Sequence, residues 1–211
     1  MDKRTLKKIL REHEKWLESN KTKGTRASLA GEDLRGISLY KANLEGADLH
    51  GAKLCGVDLK GADMRCADLR ETNLCNADLG GVNLNYANLH KATLLGAALR
   101  GAYLYDADLR HADLSHADLR GADLRGASMR EVELCRADLR GADIDYASWP
   151  LWCYSLHVKI DKRLACQLLY HTVRAMQSVD DKECNAVCND PKVVALANKF
   201  HRVEECGKIN V

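Results

Sequence analysis

From Ala27 to Trp149, apolar and polar positions follow one fixed five-residue frame. If the large apolar residue of each pentad is its centre, the centres run Leu29, Leu34, Leu39 and onward to Ile144 and Trp149. Of 25 centres, 21 are Leu, the others being Met64, Met129, Ile144 and Trp149, and two residues earlier 19 of the 25 positions are Ala. This period fits neither the ~3.6-residue helix nor the roughly two-residue strand. It fits a chain that turns a corner every five residues, with the centre and the small residue before it facing in and the other three positions facing out. Four such sides close a square coil of about 20 residues, and coils stack about 4.8 Å apart, one strand spacing. Leu then stacks on Leu and Ala on Ala, which gives a continuous core with nearest-neighbour energetics. Ala is needed because a narrow coil has room for one large side chain per side.

The polar positions carry corner chemistry. The residue before the centre is Asp twelve times and Asn four times, and both types accept backbone N–H groups in turns. Gly follows the centre by two residues in twelve pentads, from Gly31 to Gly141. That suits a corner where a bulky side chain would crowd the turn.

Within this frame the run GADLHGAKLCGVDLKGADMRCADLR resembles the pentapeptide-repeat proteins, whose consensus is A-(D/N)-L-x-x. The resemblance covers residues 27–149 and implies a mainly β fold, a right-handed quadrilateral β-helix. About six coils at about 4.8 Å give a rod ~30 Å long. Some members of that family resemble duplex DNA in shape and charge and act on DNA gyrase or topoisomerase, so the resemblance offers DNA mimicry as an alternative function. A mimic needs a strongly acidic rod, yet residues 26–150 hold 15 Lys/Arg and 19 Asp/Glu, a net of −4. The rod is also only about one DNA helical turn long, roughly 34 Å.

An open solenoid end exposes apolar side chains and unpaired backbone, and the flanks look built to cover the ends. Leu6, Ile9, Leu10, His13, Trp16 and Leu17 share one helical face over about 5–19, with Thr5 as the expected N-cap. After Trp149-Pro150 the frame stops. Helices are expected over about 161–177, with Leu164, Leu168, Leu169 and Val173 inward, over 181–188, and over 191–205, opened by Pro191 and carrying Val194, Ala197 and Phe200. The chain therefore divides into a helical cap (1–26), the β-helix (27–149) and a C-terminal helical module (150–211). One short helix would suffice as a lid, so the module is expected to dimerise or dock a partner as well.

The net charge of +2 neither argues for nor excludes nucleic acid. No apolar run reaches about 18 residues, so no membrane span is expected. The N-terminus lacks the apolar core of a signal peptide, which points to the cytoplasm. There, nine Cys are expected as thiols rather than as a disulfide framework.

Residues 20 apart lie above one another, so the position after each centre forms four columns. Two are basic: His50, Arg70, His90, Arg110, Arg130; and Tyr40, Lys60, Gly80, Arg100, Arg120, Arg140. Asp precedes the centre on many of the same coils, so these read as charge-balanced, solvated faces, and direct nucleic-acid binding is not expected. A third column, with Cys55, Cys75, Leu95 and Cys135, is apolar and outward, and fits a surface covered by a subunit or end helix. The frame changes composition over about 93–107, where the usual Asp becomes Thr93, Ala98 and Tyr103. Tyr86, Tyr103 and Tyr105 fall beside one face within reach of Arg125, and clustered Tyr with Arg is what interaction hot spots favour. The expected partner-binding residues are Leu95, Tyr103, Tyr105, Tyr86, Arg125, Cys55 and Cys75, with another protein or a second copy of the chain as partner. Cys184, Cys188, His201 and Cys206 approach zinc-ligand spacing, but no knuckle pattern supports a finger, so no metal or other cofactor is expected. No P-loop, dinucleotide fingerprint or H-E-x-x-H occurs. A convex rod with a filled core offers no cleft for catalysis, and the expected role is a non-enzymatic interaction scaffold.

Overall fold

The computed structural model describes residues 1–148, the single positions 158, 160, 165 and 168, and residues 191–197. The chain forms two compact units, Met1–Lys159 and Ile160–Val211.

In the first unit, parallel bridges join residue i to residue i+20, from Ser28↔Asp48 to Ser128↔Ser148. The bridging residue is always the one before a centre. Four ladders result, one per side of the coil, containing Asp48, Lys53, Asp58 and Asp63 in turn. The pairing consists of isolated bridges because two corners leave only a short extended stretch in each pentad.

Each corner is a four-residue turn. The N–H of the residue three beyond the centre donates to the centre's carbonyl, as Ala52 does to Leu49 at 2.9 Å. The third residue of the turn lies at positive φ at every corner from Gly31 (68°) to Tyr146 (60°), the arrangement of a type II turn. This corrects the reason for the corner glycines. A Cβ added at Gly31, Gly51 or Gly101 would meet nothing within 4 Å. What selects glycine at these corners is the left-handed backbone rather than crowding, which enters only at Gly96 and Gly126, against Asn76 and Asp106. Twelve corners hold other residues, among them Lys41, Cys66, Tyr86 and His116. Each carries the steric cost of that conformation, about 1–2 kcal/mol.

The Asp and Asn before each centre act as expected. All sixteen accept the N–H two residues on, across the corner, at 2.8–3.3 Å. Behind the corners, the centres and the small residues two before them are buried from Ala47 to Ile144. Thr72 replaces Ala in this core and satisfies its hydroxyl by donating to the Leu49 carbonyl at 2.9 Å. In the first coil Glu32, Ile37 and Ala42 are only half-buried.

Helix α1 spans Lys3–Glu18. Its N-cap is Asp2, not Thr5: the Asp2 carboxylate accepts from the N–H groups of Arg4 and Thr5, while the Thr5 hydroxyl donates back to it. An ionised acceptor at the helix start is favoured both by the free N–H groups and by the helix dipole. Leu6 and His13 are buried, and Ile9, Leu10, Trp16 and Leu17 are half-buried, on the expected face. His13 Nδ1 accepts from the Ala27 N–H at 3.1 Å, which ties the helix to the start of the first coil.

In the second unit, helix α2 spans Pro191–Ala197, with Pro191 at its first position and Val194 buried. Ala165 and Leu168 are helical, Leu168 being half-buried. The expected helix over 181–188, and Phe200, lie outside the described residues. Among those described, no helix is long and apolar enough to cross a membrane.

Candidate functional site

The four ladders decide which candidate residues meet. Leu95, Cys55 and Cys75 follow the ladder of Lys53, Asn73 and Thr93, whereas Tyr105 and Arg125 follow that of Asn83, Tyr103 and Asp123. These ladders are two sides apart in a four-sided coil. Leu95 therefore stands at one corner and the tyrosines at the diagonally opposite one. The seven candidates form two separate surfaces rather than one patch.

At the tyrosine corner, Tyr86 and Tyr103 are 57% and 51% exposed. Tyr86 and Tyr105 meet edge to face, centroids 5.6 Å apart, a favoured geometry for an aromatic pair. One coil further, the Arg125 guanidinium lies 5.8 Å from the Tyr105 ring centre, within cation–π range. Asp123 holds Arg125 with two contacts, Nε to Oδ1 at 2.8 Å and Nη2 to Oδ2 at 2.7 Å, and Asp143 lies 3.9 Å from its Nε. The Asp106 carboxylate, and after it the neighbouring Tyr86 phenol, push the Tyr105 phenol above its ordinary range, so it stays a neutral hydrogen-bonding group. The result is an aromatic surface with its cation already immobilised. Sequence reasoning found the tyrosines and Arg125 but not Asp123, whose role depends on side-chain geometry. It also passed over Tyr146, 72% exposed and three coils on in the Tyr86 column; the 20-residue spacing is the signal that would have found it.

At the other corner, Leu95 is 39% exposed and Cys55, Cys75 and Cys135 are half-buried. Burial pushes the Cys75 thiol up, with Cys55 adding to the shift, so this thiol is held protonated and unreactive. Among the described residues no group of three or more His, Cys, Asp or Glu could hold a metal ion. Cys184, Cys188, His201 and Cys206 lie outside the described residues.

The basic columns are neutralised locally at Arg70, Arg110, Arg120 and Arg140, whereas Arg100 and Arg130 follow Ala98 and Ser128 and have no Asp of their own. Seven arginines, at 35, 65, 70, 110, 120, 125 and 140, each pair with the Asp two residues before at 2.5–2.7 Å. Arg140 holds the Asp138 carboxyl down at about 2.

A family model for pentapeptide repeats matches in eight copies over residues 25–61, 62–101, 83–121 and 117–148. The fold is thus a β-solenoid of repeated pentads, and the chain belongs to the pentapeptide repeat family. Among solved structures it is similar to the pentapeptide repeat protein Rfr23 of the cyanobacterium Cyanothece 51142. That likeness is at 34% identity over 55% of this chain and 65% of that one, with a TM-score of 0.34. A pentapeptide repeat protein of the Arabidopsis thaliana thylakoid lumen is 35% identical over 46% of this chain and 61% of that one, TM-score 0.19. QnrB1, a plasmid-mediated fluoroquinolone resistance protein, is 18% identical over 70% of this chain and 90% of that one, TM-score 0.38. The chain thus spans under two thirds of the length of the first two. A comparison with curated proteins returns no match.

Proposed function

We propose that this protein is a rigid, non-enzymatic scaffold for protein–protein interaction. In this reading the first unit is a right-handed quadrilateral solenoid of about six coils, capped by α1. The observation that carries the reading is the corner where Tyr86 and Tyr103 are exposed and Tyr105 is half-buried between Tyr86 and Arg125, with Arg125 fixed in place by Asp123. Exposed aromatics and a pre-positioned Arg supply contact area and charge with little ordering cost on binding. Cys55, Cys75 and Leu95 form a second, apolar corner suited to a covering subunit, and the C-terminal helices are the proposed homodimer contact. The free thiols of Cys55, Cys66, Cys75 and Cys135 fit a reducing, cytoplasmic setting.

The test is affinity capture from native lysate with wild type, a Tyr86→Ala/Tyr103→Ala/Tyr105→Ala variant and a separate Leu95→Ala variant. All substituted side chains are wholly or partly exposed, so each variant should keep the wild-type circular dichroism. The expected result is a partner held by wild type and Leu95→Ala and lost by the tyrosine variant. A partner lost only with Leu95→Ala would move the site to the opposite corner. Recovery of gyrase or a topoisomerase, together with inhibition of supercoiling, would replace the scaffold reading with DNA mimicry, which the Asp–Arg pairing argues against by breaking up a continuous acidic face.

A further inference from the structure

The net charge of +2 hides a local imbalance. Residues 3–18 carry six Lys/Arg and three Glu, beside a solenoid that is net acidic. A cavity of about 590 Å³ opens between α1 and the first coil. Arg4, Lys7, Lys8 and Arg11 of α1 line it, with Leu10 and Ala42 as apolar lining. Glu14 is the carboxylate in its wall. The four cations are exposed, and Leu10 and Ala42 are half-buried.

These cations differ from most, though not all, of the solenoid's arginines: Arg100, Arg130 and Arg136 have no Asp two residues before them. Seven solenoid arginines are each bound by their own Asp. Among the described residues no ion pair engages Arg4, Lys7 or Lys8, and Arg11 reaches only Glu12, at 3.7 Å. Four cations and one carboxylate on the α1 side of the cleft call for an anionic occupant, and Leu10 and Ala42 call for one with an apolar element.

Scale selects among anions. Positions 4 to 11 of a helix span about 10 Å. Side chains on one face of an extended peptide recur about every 6.6 Å, so two or three carboxylates match the row. A nucleic-acid duplex would extend past α1 along a solenoid of net negative charge, where like charge opposes it. We infer that the cleft between α1 and the first coil docks a short acidic peptide segment of a protein partner, with an apolar side chain against Leu10 and Ala42. This surface is separate from the tyrosine corner and does not rest on it.

The test is fluorescence anisotropy with the full chain and a labelled octapeptide, Glu-Glu-Leu-Glu-Glu-Leu-Glu-Glu. Wild type and Tyr86→Ala/Tyr105→Ala should bind it alike. Lys7→Glu/Lys8→Glu should bind at least about tenfold more weakly, as should wild type when salt rises from about 50 to about 300 mM or when the peptide's Glu are replaced by Gln. Circular dichroism checks that the charge-reversed helix stays folded; Arg4→Ala/Arg11→Ala, which keeps helix propensity, repeats the measurement if it does not. No binding at low salt, equal binding by the charge variants, or tighter binding to an oligothymidylate octamer or to phosphatidylserine vesicles than to the peptide would overturn the inference.

Discussion

A single backbone angle explains most of the residue choices at the corners. The residue two beyond each centre must enter the left-handed region, so glycine is favoured but not obligatory. Gly51→Ala adds a methyl to open space, and should cost only the backbone strain, about 1–2 kcal/mol. Gly126→Ala should cost more, because the new Cβ would collide with the Asp106 Oδ1 atom one coil away. Urea unfolding of both variants, with Asp106→Ala as the partner in a double-mutant cycle, reads the difference: Asp106→Ala should recover the excess at Gly126 and leave Gly51→Ala unchanged. At this scale the sequence was legible where the period imposes identity. Leu, Ala, Asp and Asn recur because core and turn demand them. The crowding that a Cβ at position 126 would meet was not legible, since it depends on the rotamer of Asp106, 20 residues away, which no pattern specifies.

Helix α1 shows what an element's pattern conveys and what it omits. Its apolar face followed from the spacing of Leu6, Ile9, Leu10, His13 and Leu17, and its start was placed within about three residues. The cap was misassigned because Asp2 and Thr5 both offer an oxygen, and only geometry shows which one the helix uses. The pattern also could not foretell that His13 would be fully buried with Nδ1 as an acceptor for Ala27. Burial lowers the His13 imidazole below its ordinary value of 6.5; the nearby Glu45 backbone opposes the shift, and Arg26 adds to it. A lowered native value means that the unfolded chain takes up the proton first as pH falls. Stability present above 6.5 is therefore lost as pH drops through 6.5 toward the native value. The urea midpoint of wild type should fall between about pH 7.5 and about pH 5.5, and that of His13→Gln should fall less. Equal slopes would mean that the ring does not couple α1 to the coil.

Across the whole molecule, the ladders make each coil answer only to the coil above and the coil below. Deleting residues 50–69 removes one full turn and joins Leu49 to Arg70 in phase, so the shortened chain should fold with a somewhat lower melting temperature. Deleting 57–59 breaks the frame and should abolish cooperative unfolding; circular dichroism melts distinguish the two. The same geometry decided which candidate residues meet. Tyr86, Tyr105 and Arg125 were recognisable as neighbours because 20-residue spacing governs vertical contact. Leu95 looked close to Tyr105 in sequence, yet ten residues carry the chain half-way around the coil. The cleft at α1 was hidden for a related reason: it forms between a helix and a coil whose periods differ, and neither period fixes where one lies against the other.

The 20-residue ladder also has a mechanical meaning. Bonds between coils lie along the solenoid axis, so tension applied at Ala27 and Ser148 loads them one layer at a time instead of shearing many in parallel. Peeling one coil frees about 20 residues of slack, on the order of 65 Å of extended chain. In an optical trap this unit should yield in a staircase of equal low-force steps rather than one large rupture, a spring that lengthens by whole turns.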